Sequence, residues 1–250
     1  MILHIPHAST CIPDEIRKDF LLSGFELATE LLRMTDRYTD ELFDANSPQI
    51  TRIVYPVSRL VVDPERFVDD AQEPMSKKGM GVVYTLTSHG KQLRNPVTPE
   101  QKERLLAQYY RPHHERFTAA VEQELLRKGK ALIIDCHSFP SKPLPYEKYQ
   151  SEDRPDICIG IDKYHTPEAL SETLQDFFRK RGYSVALNRP FAGTIVPMQF
   201  CKKDQSVMSI MIELNRRLYM DEAAGERNYN YAAVEKNIST LLQEMMKGDT

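Results

Sequence analysis

The chain is 250 residues long, with 33 Lys+Arg against 36 Asp+Glu (a formal net charge of −3), 41% hydrophobic and 28% charged residues. That composition suits a soluble globular protein able to bury a sizeable core, and its near-neutral charge offers no field for gripping nucleic acid or an acidic membrane. No apolar run approaches the ~18–20 residues of a membrane span, and MILHIPHAST lacks the basic start and apolar stretch of a secretory signal, so a cytoplasmic protein is expected. Cys11, Cys136, Cys158 and Cys201 are too sparse and too far apart for a disulfide scaffold or a CxxC metal knuckle.

In chain order, residues 2–6 form a short apolar strand that stops at His7. Residues 36–45 (DRYTDELFDA) read as a helix with an apolar face of Tyr38, Leu42 and Phe43. Residues 51–55 and 59–63 read as strands separated by Pro56. Thr98-Pro99-Glu100-Gln101 opens a long helix running to about Arg127, with Thr98 as N-cap, Pro99 at the first helical position and Gln101 completing a capping box. Residues 131–134 (ALII) are a buried strand and 157–161 another. Thr166-Pro167-Glu168 caps a helix to about Arg181, which Gly182 stops. Strands at 185–187 and 207–214 follow, then an amphipathic helix from about Arg227 to Met246. The Pro- and charge-rich stretches 68–78 and 139–155 read as long loops. Neither marks a boundary, so a single catalytic domain spanning residues 1–250 is expected. Strands alternating with helices predict an α/β fold in three layers, a mixed central sheet flanked by helices.

In such sheets ligands sit beyond the carboxyl ends of strands. Three apolar runs end there in residues able to bind metal or move protons: ILHIPHAS at His7, ALIIDCHSFP at Asp135 and His137, and SIMIELNRRLY, where Glu213 interrupts a buried strand ahead of Asn215 and Arg216. A carboxylate inside a buried strand is costly unless paired or metal-linked. Two His and one carboxylate around zinc leave a position for water, so His7 and His137 are the candidate imidazoles, with Asp36 the first oxygen ligand and Asp40, one helical turn on, the alternative. Glu213 is then the candidate proton acceptor. The structural alternatives are a turn for His7, an N-cap for Asp36 and an ion pair from Glu213 to Arg59 or Arg66. There is no HExxH, GxSxG, GxxxxGK[ST] or GxGxxG motif. His113 and His114 diverge on a helix, so at most one is expected to join a site. Cys136 points away from its neighbour His137 and belongs to the core. Arg59, Arg66 and Arg216 suit a small anionic substrate, because Arg holds a carboxylate bidentately.

Eight segments in order then resemble the N-formylglutamate amidohydrolase family of the zinc-carboxypeptidase-like superfamily: IPHAS (5–9), DRYTDELF (36–43), SRLVVDPERF (58–67), YYRPHHERF (109–117), LIIDCHSFP (132–140), PDICIGID (155–162), NRPFAGTIVP (188–197) and IELNRRLYMDE (212–222). The resemblance implies a phosphorylase/hydrolase-like fold and a zinc-dependent hydrolysis of the formamide bond of N-formyl-L-glutamate to formate and glutamate. It matches His7 and His137 to metal ligands and Glu213 to the catalytic glutamate; in the mechanism this suggests, Arg59 is expected to assist zinc at the oxyanion. Arg66, in a loop similar to the superfamily's VDxNRN, matches the substrate-carboxylate binder. Arg216, Tyr84, His114 and Asn188 complete the expected substrate-binding set. Two departures stand out: the HxxE pair is absent at His7-Ala8-Ser9-Thr10, so an Asp from 36–40 must substitute, and Pro64-Glu65 precedes Arg66. Fe(II) or Co(II) suits the same ligands. The alternatives are a deacylase or carboxypeptidase-like hydrolase of another N-acyl amino acid or small peptide, or a non-catalytic binding protein of the same fold.

Overall fold

The structure, a computed structural model, describes residues 1–44 and 47–248. Strands β1 (Ile2–Ile5), β2 (Thr51–Val54), β3 (Ala131–Phe139), β4 (Ile157–Gly160), β5 (Val185–Leu187) and β6 (Val207–Asn215) make one sheet in the order β2-β1-β3-β6-β4-β5. Neighbours are parallel except β4 against β6, so the sheet is mixed. A two-stranded ribbon of β7 (Met220–Asp221) and β8 (Glu226–Arg227) follows β6. The helices are α1 (Asp14–Arg17), α2 (Gly24–Met34), α3 (Thr39–Leu42), α4 (Pro99–Leu105), α5 (Arg111–Lys128), α6 (Glu168–Arg179) and α7 (Tyr231–Gly248). Among the described residues, no helix is long and apolar enough to cross a membrane.

Side-chain parity along the strands sorts the layers. Leu3, Ile5, Leu132, Ile134, Ile210 and Ile212 face Leu174, Phe177 and Phe178 of α6 and Val234, Ile238 and Leu241 of α7. Ile2, Ala131, Ile133 and Val207 point to the opposite face, against Phe117, Ala120 and Val121 of α5. Continuing that second parity puts His4, Asp135, His137, Met211 and Glu213 on the α5 side. The parallel register then sets His137 beside Glu213 and His4 beside Asp135. Cys136 faces the other way and is buried in the core, as its position predicts.

The long central helix is the best-signalled element. Thr98 and Gln101 exchange the two hydrogen bonds of a capping box, and α5 ends where Gly129 takes φ +70°. Between α4 and α5 the chain passes through a π-helical turn, Leu106–Tyr110. Four expectations are corrected. The helix expected over 36–45 is the single turn α3, because Tyr38 sits at φ +67° and breaks the helical path after Asp36; its expected end, Ala45, lies outside the described residues. Residues 59–63 are turns, not a strand: Arg59 and Asp63 meet at 2.8 Å, whereas i and i+4 on a strand stand about 13 Å apart. Thr166 does not cap α6; its hydroxyl accepts from Asp162 N and donates to the Ser209 carbonyl. The last helix begins at Tyr231 because residues 226–227 pair with β7.

Candidate active site

The carboxyl ends of β1, β3 and β6 open onto a cavity of about 200 Å³ walled by His7, Asp36, Arg59, Glu65, Arg66, His137, Glu213 and Arg216, with Arg33, Tyr146 and Phe191 at its sides. His7 lies two residues past the end of β1, and its carbonyl accepts from Asp36 N at 2.9 Å, so the two residues are anchored to each other through the backbone. His7 Nε2 lies 2.9 Å from Asp63 Oδ1, while its Nδ1 is buried with no hydrogen-bond partner, 3.7 Å from Asp36 Oδ2. His137 stands similarly: Nε2 is 3.0 Å from Asp135 Oδ1, and Nδ1 is 3.1 Å from the same Asp36 oxygen. The two imidazoles thus turn their Nδ1 atoms toward Asp36, while a buried carboxylate braces each ring from behind. That is how ligating histidines are usually oriented.

Asp36 Oδ1 accepts from Arg216 Nη2 at 2.9 Å. Burial works against ionising this carboxyl, yet the hydrogen bond with His137 and the charges of Arg216 and nearby His7 hold it well below the usual carboxylate range. Asp63 and Asp135 are likewise buried and held low, the first chiefly by Arg59 and His7, the second by His137 and His4. Burial disfavours a charged imidazole at His137, but Glu65, Asp135 and Asp36 raise its pKa well above the ordinary value. Glu213 differs. It is 6% exposed, its Oε2 has no partner, and burial together with the nearby Asp36, Glu65 and Asp135 charges pushes it up to about 8, with His137 opposing. Its expected structural alternative, an ion pair with Arg59 or Arg66, is not among the ion pairs of the described residues.

Five carboxyl groups (Asp36, Asp63, Glu65, Asp135 and Glu213) crowd this site, and the orphaned His7 Nδ1 and Glu213 Oε2 face its interior. The donor set therefore fits a divalent cation: imidazole and carboxylate suit zinc or a similar ion, and a cation would relieve the local excess of negative charge. Glu65 offers a further carboxylate to both imidazoles, at 3.8 Å from His7 Nδ1 and 3.2 Å from His137 Nε2. His7, Glu65 and His137 form one group of potential ligands, and His4, Glu65 and Asp135 another. Asp36 Oδ2 lies nearest the Nδ1 atom of each ring, at 3.7 and 3.1 Å, whereas Glu65 approaches His7 at Nδ1 and His137 at Nε2.

Comparison with known proteins identifies the family. The chain matches the N-formylglutamate amidohydrolase family over residues 1–220. It belongs to that family. Two relatives named N-formylglutamate deformylase, from Pseudomonas putida and Pseudomonas aeruginosa, are each 26% identical, over 89% and 90% of this chain and 82% and 83% of theirs. The crystal structure of an N-formylglutamate amidohydrolase from Ralstonia eutropha JMP134 superposes with a TM-score of 0.85 at 24% identity, covering 98% of this chain and 92% of that one. A gene product of Agrobacterium tumefaciens matches at TM-score 0.70 and 16% identity, over 98% of this chain and 91% of its own. The fold is therefore that of the amidohydrolase family, with its mixed sheet flanked by helices.

Within this family member, several expected site residues lie elsewhere. Asp40, on α3, is half-buried beside Arg52 and does not wall the cavity; Tyr38's left-handed backbone breaks the helical spacing that would have stacked it with Asp36. Arg216 faces the cavity with its donors committed: to Asp36, to Ser138 Oγ at 3.2 Å and to the Arg33 carbonyl at 2.6 Å. It orients Asp36 instead of awaiting a substrate. Tyr84 is fully buried behind the cavity and donates to Asp63 Oδ2 at 2.5 Å. Asn188 is a turn residue at φ +52° whose Oδ1 accepts from Ile161 N and Gly193 N. His114 does not wall the cavity; its Nε2 lies 2.8 Å from the Pro64 carbonyl, bracing the loop that carries Glu65 and Arg66. His113 is fully buried and does not wall the cavity either.

Sequence reasoning missed Asp63 and Glu65 as site residues. The rule that singled out Glu213, a carboxylate closing an apolar run, applies equally to Asp63 after Leu60, Val61 and Val62. Glu65 carries no comparable signal. His114 also yields a pH test. Burial lowers its pKa from 6.5 to about 4, so the folded state refuses a proton that the unfolded chain accepts below pH 6.5. Its contribution is fully present above pH 6.5 and is lost as pH falls toward 4. Between pH 7.5 and 4.5 the wild type is expected to lose up to about 2 kcal/mol relative to His114→Gln, read from urea midpoints.

Proposed function

We propose that the chain is a zinc-dependent amidohydrolase that cleaves N-formyl-L-glutamate to formate and glutamate, acting on a small anionic N-acyl amino acid in the cytoplasm. The observation that carries this reading is Glu213: a buried, unpartnered carboxyl on β6, in register with His137 and facing a cavity that also holds two carboxylate-braced imidazoles. The names of the relatives supply the substrate class. His7, Asp36 and His137 would hold the cation through Nδ1, Oδ2 and Nδ1. Bound there, a divalent metal supplies Lewis acidity, lowering the pKa of water and polarising the formyl carbonyl.

The protein's own groups do the rest. Glu213, ionised once a cation would offset the neighbouring carboxylates, takes a proton from the water that attacks the formyl carbon and delivers it to the leaving nitrogen as the C–N bond breaks, so formate and a free amine result. Arg59 is fixed by Asp63 and Tyr84 through Nε and Nη2, at 3.2, 2.8 and 3.2 Å. Its Nη1 has no partner among the described residues and is placed to donate to the oxygen on which negative charge develops. Arg66 makes no hydrogen bond through its buried Nε and stands 3.7 Å from Asp63 Oδ2, which leaves its guanidinium fork for a substrate carboxylate. Tyr146, whose hydroxyl burial pushes up to about 12, stays neutral beside it and can only donate or accept a hydrogen bond.

Arg66→Ala is expected to raise KM for N-formylglutamate about 10–100-fold with a smaller change in kcat, the loss of one charge-assisted pair. An unchanged KM would remove Arg66 from the substrate. One observation favours a second reading, a deacylase for larger acyl groups. A cavity of about 410 Å³ adjoins the site, shares Glu65, Arg66, Ala192 and Met211 with it, and continues past Ile195, Val196 and Met198. A series of N-formyl-, N-acetyl- and N-hexanoylglutamate separates the two. The main reading expects formyl to be fastest, whereas kcat/KM rising with acyl length selects the second.

A further inference from the structure

Two histidines outside the cavity extend the hydrogen bonding behind His137. His4 Nδ1 lies 2.9 Å from Asp135 Oδ1, the oxygen that also meets His137 Nε2, and His4 Nε2 lies 3.0 Å from His113 Nε2. Both rings are fully buried. His4 stacks on Phe117 at 4.6 Å, and His113 sits edge-on to Tyr55 at 4.9 Å, so neither can turn away freely. The π-helical turn at Leu106–Tyr110 precedes α5, and one inserted residue rotates the following helix by about 100°, which sets the face His113 presents to β1.

We propose that His113 and His4 are positioning residues that fix, through Asp135, the tautomer in which His137 keeps its Nδ1 lone pair toward the site. The proposal rests on the reading that His137 Nδ1 holds a metal. The assignment follows donor by donor. A neutral His4 must carry its proton on Nδ1, since a lone pair there would face the Asp135 carboxylate at 2.9 Å. His4 Nε2 is then an acceptor, and His113 must donate to it from Nε2. That places the His113 lone pair on Nδ1, the atom that is buried without a partner. An unmet acceptor at that place is tolerable, whereas the opposite tautomer would strand a buried N–H. Burial, reinforced by the neighbouring histidines, lowers the His113 pKa far below its ordinary value and keeps that ring neutral. Asp135, already accepting from His4, accepts from His137 Nε2–H on the same oxygen, so the proton that His137 would give up to a cation is the one on Nδ1, shared with Asp36.

The test combines affinity with spectroscopy. Zinc affinity is measured by chelator competition in the wild type, His113→Leu and His113→Gln, the Gln amide replacing the Nε2–H donor. We expect about a tenfold loss in His113→Leu and recovery to within about threefold of wild type in His113→Gln. An unchanged affinity in His113→Leu, or an equal loss in both variants, overturns the relay. If His113→Leu does not fold, 15N chemical shifts of the histidines in the wild type decide instead. His4 protonated on Nδ1 and His113 on Nε2 support the proposal, and any other pair of tautomers overturns it. A wild type that takes up no zinc would refute the metal reading while leaving the tautomer result to judge the relay alone.

Discussion

Replacing Glu213 by Gln is expected to lower kcat for N-formylglutamate about 10³–10⁴-fold while zinc content stays at the wild-type level. The substitution keeps the volume and planarity of the side chain and removes only its ability to take and return a proton. Glu213 holds no hydrogen bond through Oε2 and forms no ion pair among the described residues, so little else in the fold depends on its charge. Replacing a buried carboxyl whose ionisation is resisted by burial should leave the melting temperature unchanged or raised. Turnover within tenfold of wild type would remove Glu213 from the proton transfers; loss of zinc together with activity would make it a ligand.

The second large effect concerns the metal. His137→Ala is expected to abolish stoichiometric zinc binding, measured by elemental analysis after dialysis, and activity with it. Asp36→Asn and Glu65→Gln then separate the two carboxylates that reach the imidazoles. Asp36→Asn should lose zinc and also destabilise the fold by about 3–5 kcal/mol, because it leaves the buried Arg216 without its counter-charge. Glu65→Gln should keep both zinc and stability, since Glu65 is partly exposed, with 18% of its side-chain surface accessible. The opposite pattern would make Glu65 the third ligand and leave Asp36 as the partner of Arg216 alone.

What could be read in the sequence divides along physical lines. Strands whose apolar runs stop abruptly at polar residues gave His7, His137 and Glu213 their places, because a parallel sheet sends those positions to one edge and side-chain parity sends them to one face. The capping box at Thr98 was equally plain, being a purely local signal. Helix α2 was overlooked although Ser23 and Glu26 form the same reciprocal cap. Its buried apolar residues Leu27 and Met34 stand seven apart on one helix face, so this signal too is local. The loop 58–66 misled for a different reason. Leu60, Val61 and Val62 look like a strand, yet all three are buried in a loop-side cluster with Tyr84 and Met80, and the turn serves to bring Arg59 back onto Asp63. Arg216 and Tyr84 show the limit for side chains. Residue type identified them as useful near an anion, but only the three-dimensional arrangement reveals that their donors are already engaged with Asp36 and Asp63.

The most direct test of the central claim is the hydrolysis of N-formyl-L-glutamate, followed by formate release, in metal-stripped protein to which zinc is returned stepwise. The stripped protein is expected to show no turnover, activity to rise linearly to a plateau at one zinc per chain, and Glu213→Gln to show none at any zinc level. Turnover by the stripped protein, or a zinc-loaded chain that releases no formate, would contradict the central claim.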